Sequence, residues 1–348
     1  VIRVLIVDDS LVVRELLSYI LGATANVIVA GTASNGREAL DAITRLRPDI
    51  ITMDINMPEM DGFETTRRIM ETNPIPIVIV SGSWKADEVA TTFRALEAGA
   101  VAVVARPPGI GHPDHQYAAR ELRQTVLAMA EVRVVRRWPK IATPPEPPRP
   151  PDAPKPTAPR RSIDMVALGA STGGPVVIQT FLKNLPEDFS VPILVVQHMA
   201  GGFIQGFVEW LAQTCGRPVL LGGHGVLVVR GHTYVAPDGH QMGVDASGRI
   251  RLAPPTPENG FAPSVSFLFR SVAEVYGLRS AAILLSGMGS DGALELKRLR
   301  DAGALTFAQD EESAVIYGMP GEAKRIGAAE YILSPQEIAS TLASLAHP

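Results

Sequence analysis

Short apolar runs at residues 4–7, 27–30, 50–53, 77–80 and 101–104, all rich in Val or Ile, punctuate the first third of the chain. Between them, apolar residues recur at helical spacing, as in Val13, Leu16, Leu17 and Ile20. A strand covered on both faces has no polar side to show, so unbroken apolar runs alternating with amphipathic helices predict a parallel sheet between two helical layers. Farther on, runs at 165–168, 193–196 and 282–285 again precede helical stretches. Residues 226–252 between them read as antiparallel strands, with turn signals at Asp238-Gly239 and Ser247-Gly248. The second half is thus predicted to be doubly wound α/β with an antiparallel hairpin insertion.

The two patterned regions are separated by residues 139–159, where proline recurs too often, and apolar surface is too scarce, for a packed element. The expected division is a first domain over 1–130, the end of a helix and a proline-rich linker over 131–161, and a second domain over 162–348. A length of 348 residues and a hydrophobic content of 46% suit two ordinary cores. The net charge is -4 with no basic block, which argues against a nucleic-acid partner. No apolar run approaches the roughly 18 residues of a membrane helix, so membrane insertion is not expected. A lone cysteine, Cys215, cannot form an internal disulfide and fits a reducing cytoplasm. Residues 1–7 read as a buried strand ending in acids, not as a targeting segment.

Ligands of parallel α/β sheets sit at the carboxyl ends of the strands. In the first half those ends carry Asp8-Asp9, Asp54, Ser81 and Arg106-Pro107. Taken singly, Asp8-Asp9 could start a helix and residues 54–62 could be a turn-rich loop. Together they describe something more particular. Three converging carboxylates repel one another unless a hard cation such as Mg²⁺ joins them, and one of them can then attack a phosphoryl group whose oxygens the metal, a hydroxyl and a cation neutralise.

On Asp8-Asp9, the run Met53-Asp54-Ile55-Asn56-Met57-Pro58-Glu59-Met60-Asp61-Gly62, Ser81 and Arg106-Pro107, the first half resembles a response-regulator receiver domain. The resemblance implies a flavodoxin-like five-stranded sheet in the order 2-1-3-4-5. It also implies phosphorylation of Asp54 by a histidine kinase of the CheA type, and Mg²⁺ held by Asp9, Asp54 and the Asn56 carbonyl with Asp8 assisting. Ser81 would turn toward the phosphate. Receivers usually carry lysine where this chain has Arg106, which keeps the charge and changes the geometry.

In the second half, Gly169-Ala170-Ser171-Thr172-Gly173-Gly174-Pro175 follows a strand and opens a helix, with Pro175 suited to the first turn. The segment matches G-x-S-x-G, in which a tight turn lifts a serine above the sheet. It fits neither a Walker loop nor the dinucleotide-binding spacing, and by itself could equally be a phosphate cradle or tight packing. Gln197-His198-Met199 closes the next strand and places an imidazole, a candidate general base, at the same sheet edge. The strand at 282–285 ends in Ser286-Gly287-Met288-Gly289-Ser290-Asp291-Gly292. Asp291 can either cap the helix expected over 293–300 or orient His198 as the third member of a triad. For His112, His115, His224, His232 and His347 a surface or packing role is preferred, and the turns between His224, His232 and His240 argue against a metal site.

These segments, together with Phe203, Tyr234-Val235-Ala236-Pro237, His240, Pro263-Ser264-Val265, Ala308-Gln309-Asp310 and Gly318-Met319-Pro320, make the second half similar to the catalytic domain of the chemotaxis protein-glutamate methylesterases, the CheB family. The resemblance implies that Ser171 attacks, His198 is the base and Asp291 orients it. The Met288 amide, with Thr172 nearby, would support the oxyanion. It further implies hydrolysis of glutamate methyl esters on chemoreceptors, deamidation of glutamines at such sites, an acyl-enzyme, and a receiver that inhibits until it is phosphorylated. No cofactor is expected for the esterase step. A second departure stands at Asn259-Gly260-Phe261-Ala262, where relatives often carry basic residues.

Overall fold

The computed structural model describes residues 1–82, 93–132, 134, 161–255 and 261–347. The proline-rich segment expected as a linker therefore lies almost wholly outside the described residues, as do Asn259 and Gly260. The chain divides into two compact units, Val1–Gly82 with Arg94–Arg160, and Ser83–Phe93 with Arg161–Pro348.

In the first unit the elements run β1 (Ile2–Val7), α1 (Leu11–Gly22), β2 (Val27–Ala33), α2 (Gly36–Leu46), β3 (Ile50–Met53), α3 (Gly62–Thr72), β4 (Ile77–Ser81), β5 (Ala102–Ala105) and α4 (His115–Met129). The five strands form a parallel sheet in the order β2-β1-β3-β4-β5, as expected. Every residue of β3 and β4 is buried, which explains their unbroken apolar sequences. The order reverses between β1 and β3, and that crevice is where Asp8-Asp9 and Asp54 emerge. Asp61 caps α3 by accepting from the Glu64 N–H. Position 62 admits only glycine, because a Cβ there would lie 2.0 Å from the carbonyl oxygen of Asp54.

The second unit continues with β6 (Arg161–Ser162), β7 (Met165–Ala170), α5 (Gly174–Asn184), β8 (Ile193–Gln197), α6 (Ile204–Cys215), β9 (Val219–Leu221), β10 (Thr233–Val235), β11 (Gln241–Val244), β12 (Ile250–Ala253), α7 (Val265–Val275), β13 (Ser280–Leu284), α8 (Ala293–Asp301), β14 (Leu305–Gln309), α9 (Met319–Arg325), β15 (Tyr331–Leu333), α10 (Pro335–Leu345) and β16 (Ala346–His347). Seven strands make one parallel sheet, β15-β14-β13-β7-β8-β10-β9. Its core includes Leu194, Val196, Leu268, Phe269, Val272, Leu284 and Leu296, all fully buried. The order turns about β7, which pairs with β8 on one side and β13 on the other.

One expectation needs correcting. Only part of 226–252 is antiparallel: β11 and β12 form the hairpin, with the Asp245 carboxylate gathering N–H groups of Ser247 and Arg249 in its turn. Thr233–Val235 instead joins the main sheet, parallel to both β8 and β9. All three of its residues are buried, so it is an interior strand of the sheet.

Candidate active site

At the switch point of the first unit, one carboxylate oxygen from each of Asp8, Asp9 and Asp54 lies within 4.8 Å of the others. Asp8 and Asp54 are buried while Asp9 is exposed. Arg106 reaches in from the end of β5, its Nη2 3.2 Å from Asp54 Oδ1 and 3.5 Å from Asp8 Oδ2. Burial, reinforced by the Asp8 carboxylate, pushes the Asp54 carboxyl up to about 6 against the pull of Arg106. Burial raises Asp8 as well. A divalent cation would relieve this crowding of like charge, and the all-oxygen donor set suits Mg²⁺. Ser81 is buried at the end of β4, and Asn56 lies exposed on the loop after Asp54. Gly82 lets the guanidinium in: a Cβ there would sit 2.9 Å from Arg106 Cζ.

The second switch point holds the serine. Ser171 directly follows β7, and Gly173, at φ 77°, makes the left-handed step into α5, with Pro175 in its first turn as expected. Backbone and buried side chains fix this turn. The Ser171 N–H donates to the Ser286 carbonyl, and the Ser171 carbonyl accepts from Gly174 N–H and from Gln197 Nε2. Ser286, wholly buried, donates its hydroxyl to the Thr172 carbonyl and accepts from the Ile316 N–H. The 286–289 loop packs so closely that a Cβ on Gly287 would lie 2.8 Å from Ser171 Cβ and 2.3 Å from Met319 Sδ. The Gly287 N–H is engaged by the Ile316 carbonyl, whereas the Met288 and Thr172 amides donate to no acceptor among the described residues.

Strand register brings the imidazole alongside. Ala170 is paired with Gln197, so Ser171 and His198 leave adjacent strands at the same level, and the His198 N–H donates to the Ala170 carbonyl. His198 Nε2 lies 2.9 Å from Asp291 Oδ2. Opposite an ionised carboxylate this nitrogen carries the proton, leaving Nδ1 as an acceptor. Nδ1 is buried and has no partner among the described residues.

Asp291 does not cap the helix that follows it. The N-cap of α8 is Gly292, with no side-chain bond. The carboxylate turns instead to the start of α7, accepting from the N–H groups of Val265 (2.7 Å) and Ser266 (3.0 Å) and from the Ser264 hydroxyl (3.1 Å). Burial alone would raise this carboxyl, but the bonds from His198 and the α7 terminus outweigh it and bring it down to about 2. A carboxyl depressed by folding stabilises the fold above its unfolded pKa near 4 and loses that contribution as the pH falls through about 2. The difference in unfolding free energy between the parent chain and Asp291→Asn should therefore narrow by about 2 kcal/mol between roughly pH 5 and pH 2. Denaturant titrations across that range would read it, and a gap independent of pH would contradict a carboxylate held this low.

Several contributors were not singled out by sequence reasoning. Ser264 entered only within the matched segment Pro263-Ser264-Val265, Ser266 not at all, and Ser286 and Gln197 only as members of motifs. Phe261 stood out merely as a departure, yet its ring lies parallel to the His198 imidazole, centroids 4.3 Å apart and planes inclined by 6°. His224, His232 and His240 do not converge. Their Nδ1 atoms meet the Leu252 N–H and the Arg230 and Asp238 carbonyls respectively.

Two family models match the chain: CheB methylesterase over residues 166–342 and response regulator receiver domain over residues 4–111. A protein-glutamate methylesterase/protein-glutamine glutaminase of Syntrophus aciditrophicus is 53% identical over 99% of this chain and 98% of its own length. One of Geobacter metallireducens is 54% identical over 99% of both chains. The crystal structure of the Thermotoga maritima CheB methylesterase catalytic domain superposes with a TM-score of 0.51 at 33% identity, covering 53% of this chain and 99% of that one.

Proposed function

Because the chain belongs to the CheB methylesterase family, with a response-regulator receiver ahead of the catalytic domain, we propose that it hydrolyses glutamate methyl esters on chemoreceptor-type signalling proteins and is switched on by phosphorylation of Asp54. The observation that carries the catalytic half is the buried His198–Asp291 pair at 2.9 Å, with its second imidazole nitrogen unpaired among the described residues at the strand end beside Ser171. Residues 1–130 form the receiver, 131–161 the end of a helix and the proline-rich linker, and 162–348 the catalytic domain, a division supported by the change of unit at Arg160–Arg161.

In this mechanism Ser171 Oγ adds to the ester carbonyl carbon while its proton passes to His198 Nδ1. Negative charge collects on the former carbonyl oxygen, where the Met288 and Thr172 amides, which donate to no acceptor among the described residues, serve as donors. Collapse breaks the bond to the methoxy oxygen, which leaves as methanol with the proton from His198, and the glutamyl group remains esterified to Ser171. Water then adds to that acyl-enzyme, giving a proton to His198. The second collapse returns this proton to Ser171 and releases the glutamate side chain. A glutamine substrate follows the same course with ammonia as the leaving group. Asp291 holds the ring and balances the imidazolium in each half. Incubating the purified chain with methyl-labelled receptor and measuring methanol tests the whole scheme; no release would refute it.

Position 287 offers a sharper probe. Gly287→Ala should push the serine out of line and lower methanol release about a hundredfold, the typical cost of a displacement near 1 Å. Unimpaired turnover would mean that the 286–289 loop does not position Ser171.

In the receiver, Asp54 is the phosphate acceptor, a histidine kinase of the CheA type the donor, and Ser81 and Arg106 the groups that sense the phosphate. Asp8, Asp9, Asp54 and the Asn56 carbonyl would hold Mg²⁺, which when bound neutralises phosphoryl oxygens. The unphosphorylated receiver inhibits the catalytic domain in this reading, and the site of action is the cytoplasm, supported by the single cysteine. Among the described residues no helix is long and apolar enough to cross a membrane.

A further inference from the structure

Phe261 is 42% exposed, an unusual setting for a phenyl ring in this molecule, whose largest side chains are mostly buried. Its position is set by the backbone. The Phe261 carbonyl accepts from Nε2 of Gln241 at 2.7 Å, the other end of that buried amide accepts from the Ser264 N–H at 2.8 Å, and the Ala262 carbonyl accepts from the Gly239 N–H. The segment from Phe261 to Ser264 is thus held by three hydrogen bonds, and the ring lies flat on the His198 imidazole, 4.3 Å between centroids and 6° between planes.

We propose that Phe261 is a positioning residue for the base: it covers one face of the His198 ring and stabilises the imidazolium formed when Ser171 gives up its proton. The role rests on His198 being the base, as argued above. The face of a phenyl ring is its negative region, so a cation stacked on it is favoured over a neutral ring. Asp291 acts on the same imidazolium within the ring plane, through Nε2, and Phe261 acts perpendicular to it. Both interactions grow as charge develops, so both favour the transition state over the bound substrate.

Other groups around the ring do not duplicate this effect. Asp291 is the ionisable partner bonded to it among the described residues. Asp238, on the loop after β10, accepts from the Gly202 N–H. The hydroxyls of Ser171 and Ser264 are neutral. Glu258, three positions before Phe261, lies outside the described residues and is therefore made a control.

The experiment compares the full-length chain with Phe261→Leu, Phe261→Tyr and Glu258→Gln. It reads steady-state demethylation against pH and the titration of His198 by NMR of ¹³C-labelled histidine, with the signal assigned from its loss in His198→Gln. Leucine keeps the apolar cover and removes the π face. Phe261→Leu should lower the His198 pKa and the acidic limb of kcat/KM together by about half a unit and reduce kcat about threefold with little change in KM. Phe261→Tyr should restore both most of the way. The His198 ring protons should also lose an upfield ring-current shift in the leucine variant and keep it in the tyrosine one. An unmoved His198 titration in Phe261→Leu, or the same shift produced by Glu258→Gln, would overturn the proposal while leaving the triad intact. Full activity in Ser171→Ala would instead remove the triad assignment, and the role of Phe261 with it.

Discussion

Ser171→Ala should release methanol from methylated receptor at least about ten-thousandfold more slowly than the parent chain, with its melting temperature almost unchanged. The stability half of this expectation follows from what holds the turn. Ser171 is bound through its N–H to Ser286 and through its carbonyl to Gly174 and Gln197, and alanine keeps all three bonds. The catalytic half follows from the roles of the set. Without the hydroxyl no acyl-enzyme forms, and the His198–Asp291 pair has no proton to take from a nucleophile. His198→Ala should be similarly severe, and the double variant scarcely worse than either, because residues acting as a unit lose their effects together. Demethylation by Ser171→Ala near the parental rate would end the serine mechanism.

Asp54→Asn should abolish stimulation by a small phosphodonor such as acetyl phosphate with Mg²⁺, which in the parent chain is expected to raise turnover about tenfold or more. Asparagine preserves the shape of a buried side chain that Arg106 already contacts. It removes the anionic oxygen that attacks phosphorus, and with it the covalent phosphate that Ser81 and Arg106 would read. Phosphoprotein gels or mass spectrometry should show no modification of this variant. Stimulation persisting in Asp54→Asn would place the switch elsewhere.

The two parallel sheets were legible in the sequence because buried strands carry an unbroken apolar signature that polar helix faces interrupt. The chemistry-bearing strand ends followed from the sheets, so Asp8, Asp9, Asp54 and Arg106, and separately His198 and Asp291, could be put near one another before any coordinates. Thr233–Val235 was misassigned because three buried residues do not reveal which way their partner runs, and the adjacent hairpin of Gln241–Val244 and Ile250–Ala253 lent them its direction. Asp291 showed both the strength and the limit of such reading. Its position is local, but the amides that hold it belong to the start of a helix more than twenty residues earlier. Phe261 was illegible for the same reason: nothing in Asn259-Gly260-Phe261-Ala262 announces an imidazole beneath the ring. Contacts made through space by irregular segments leave no periodic trace.

The sheet order of the second unit also bears on the order in which the protein is made. β7, which carries the serine, lies between β8, translated soon afterwards, and β13, translated more than a hundred residues later. A nascent chain halted before β13 would present Ser171 with one flank of its sheet missing, without the Ser286 carbonyl, the Met288 amide or Asp291. Esterase activity by the proposed mechanism can therefore arise only after β13 and the loop that follows it have been made. The receiver, whose sheet is complete by Ala105, is by then long since free to fold. Under the proposed switch, control is built on the ribosome before the activity it is to control, and a truncated translation product would carry a receiver domain and no working hydrolase.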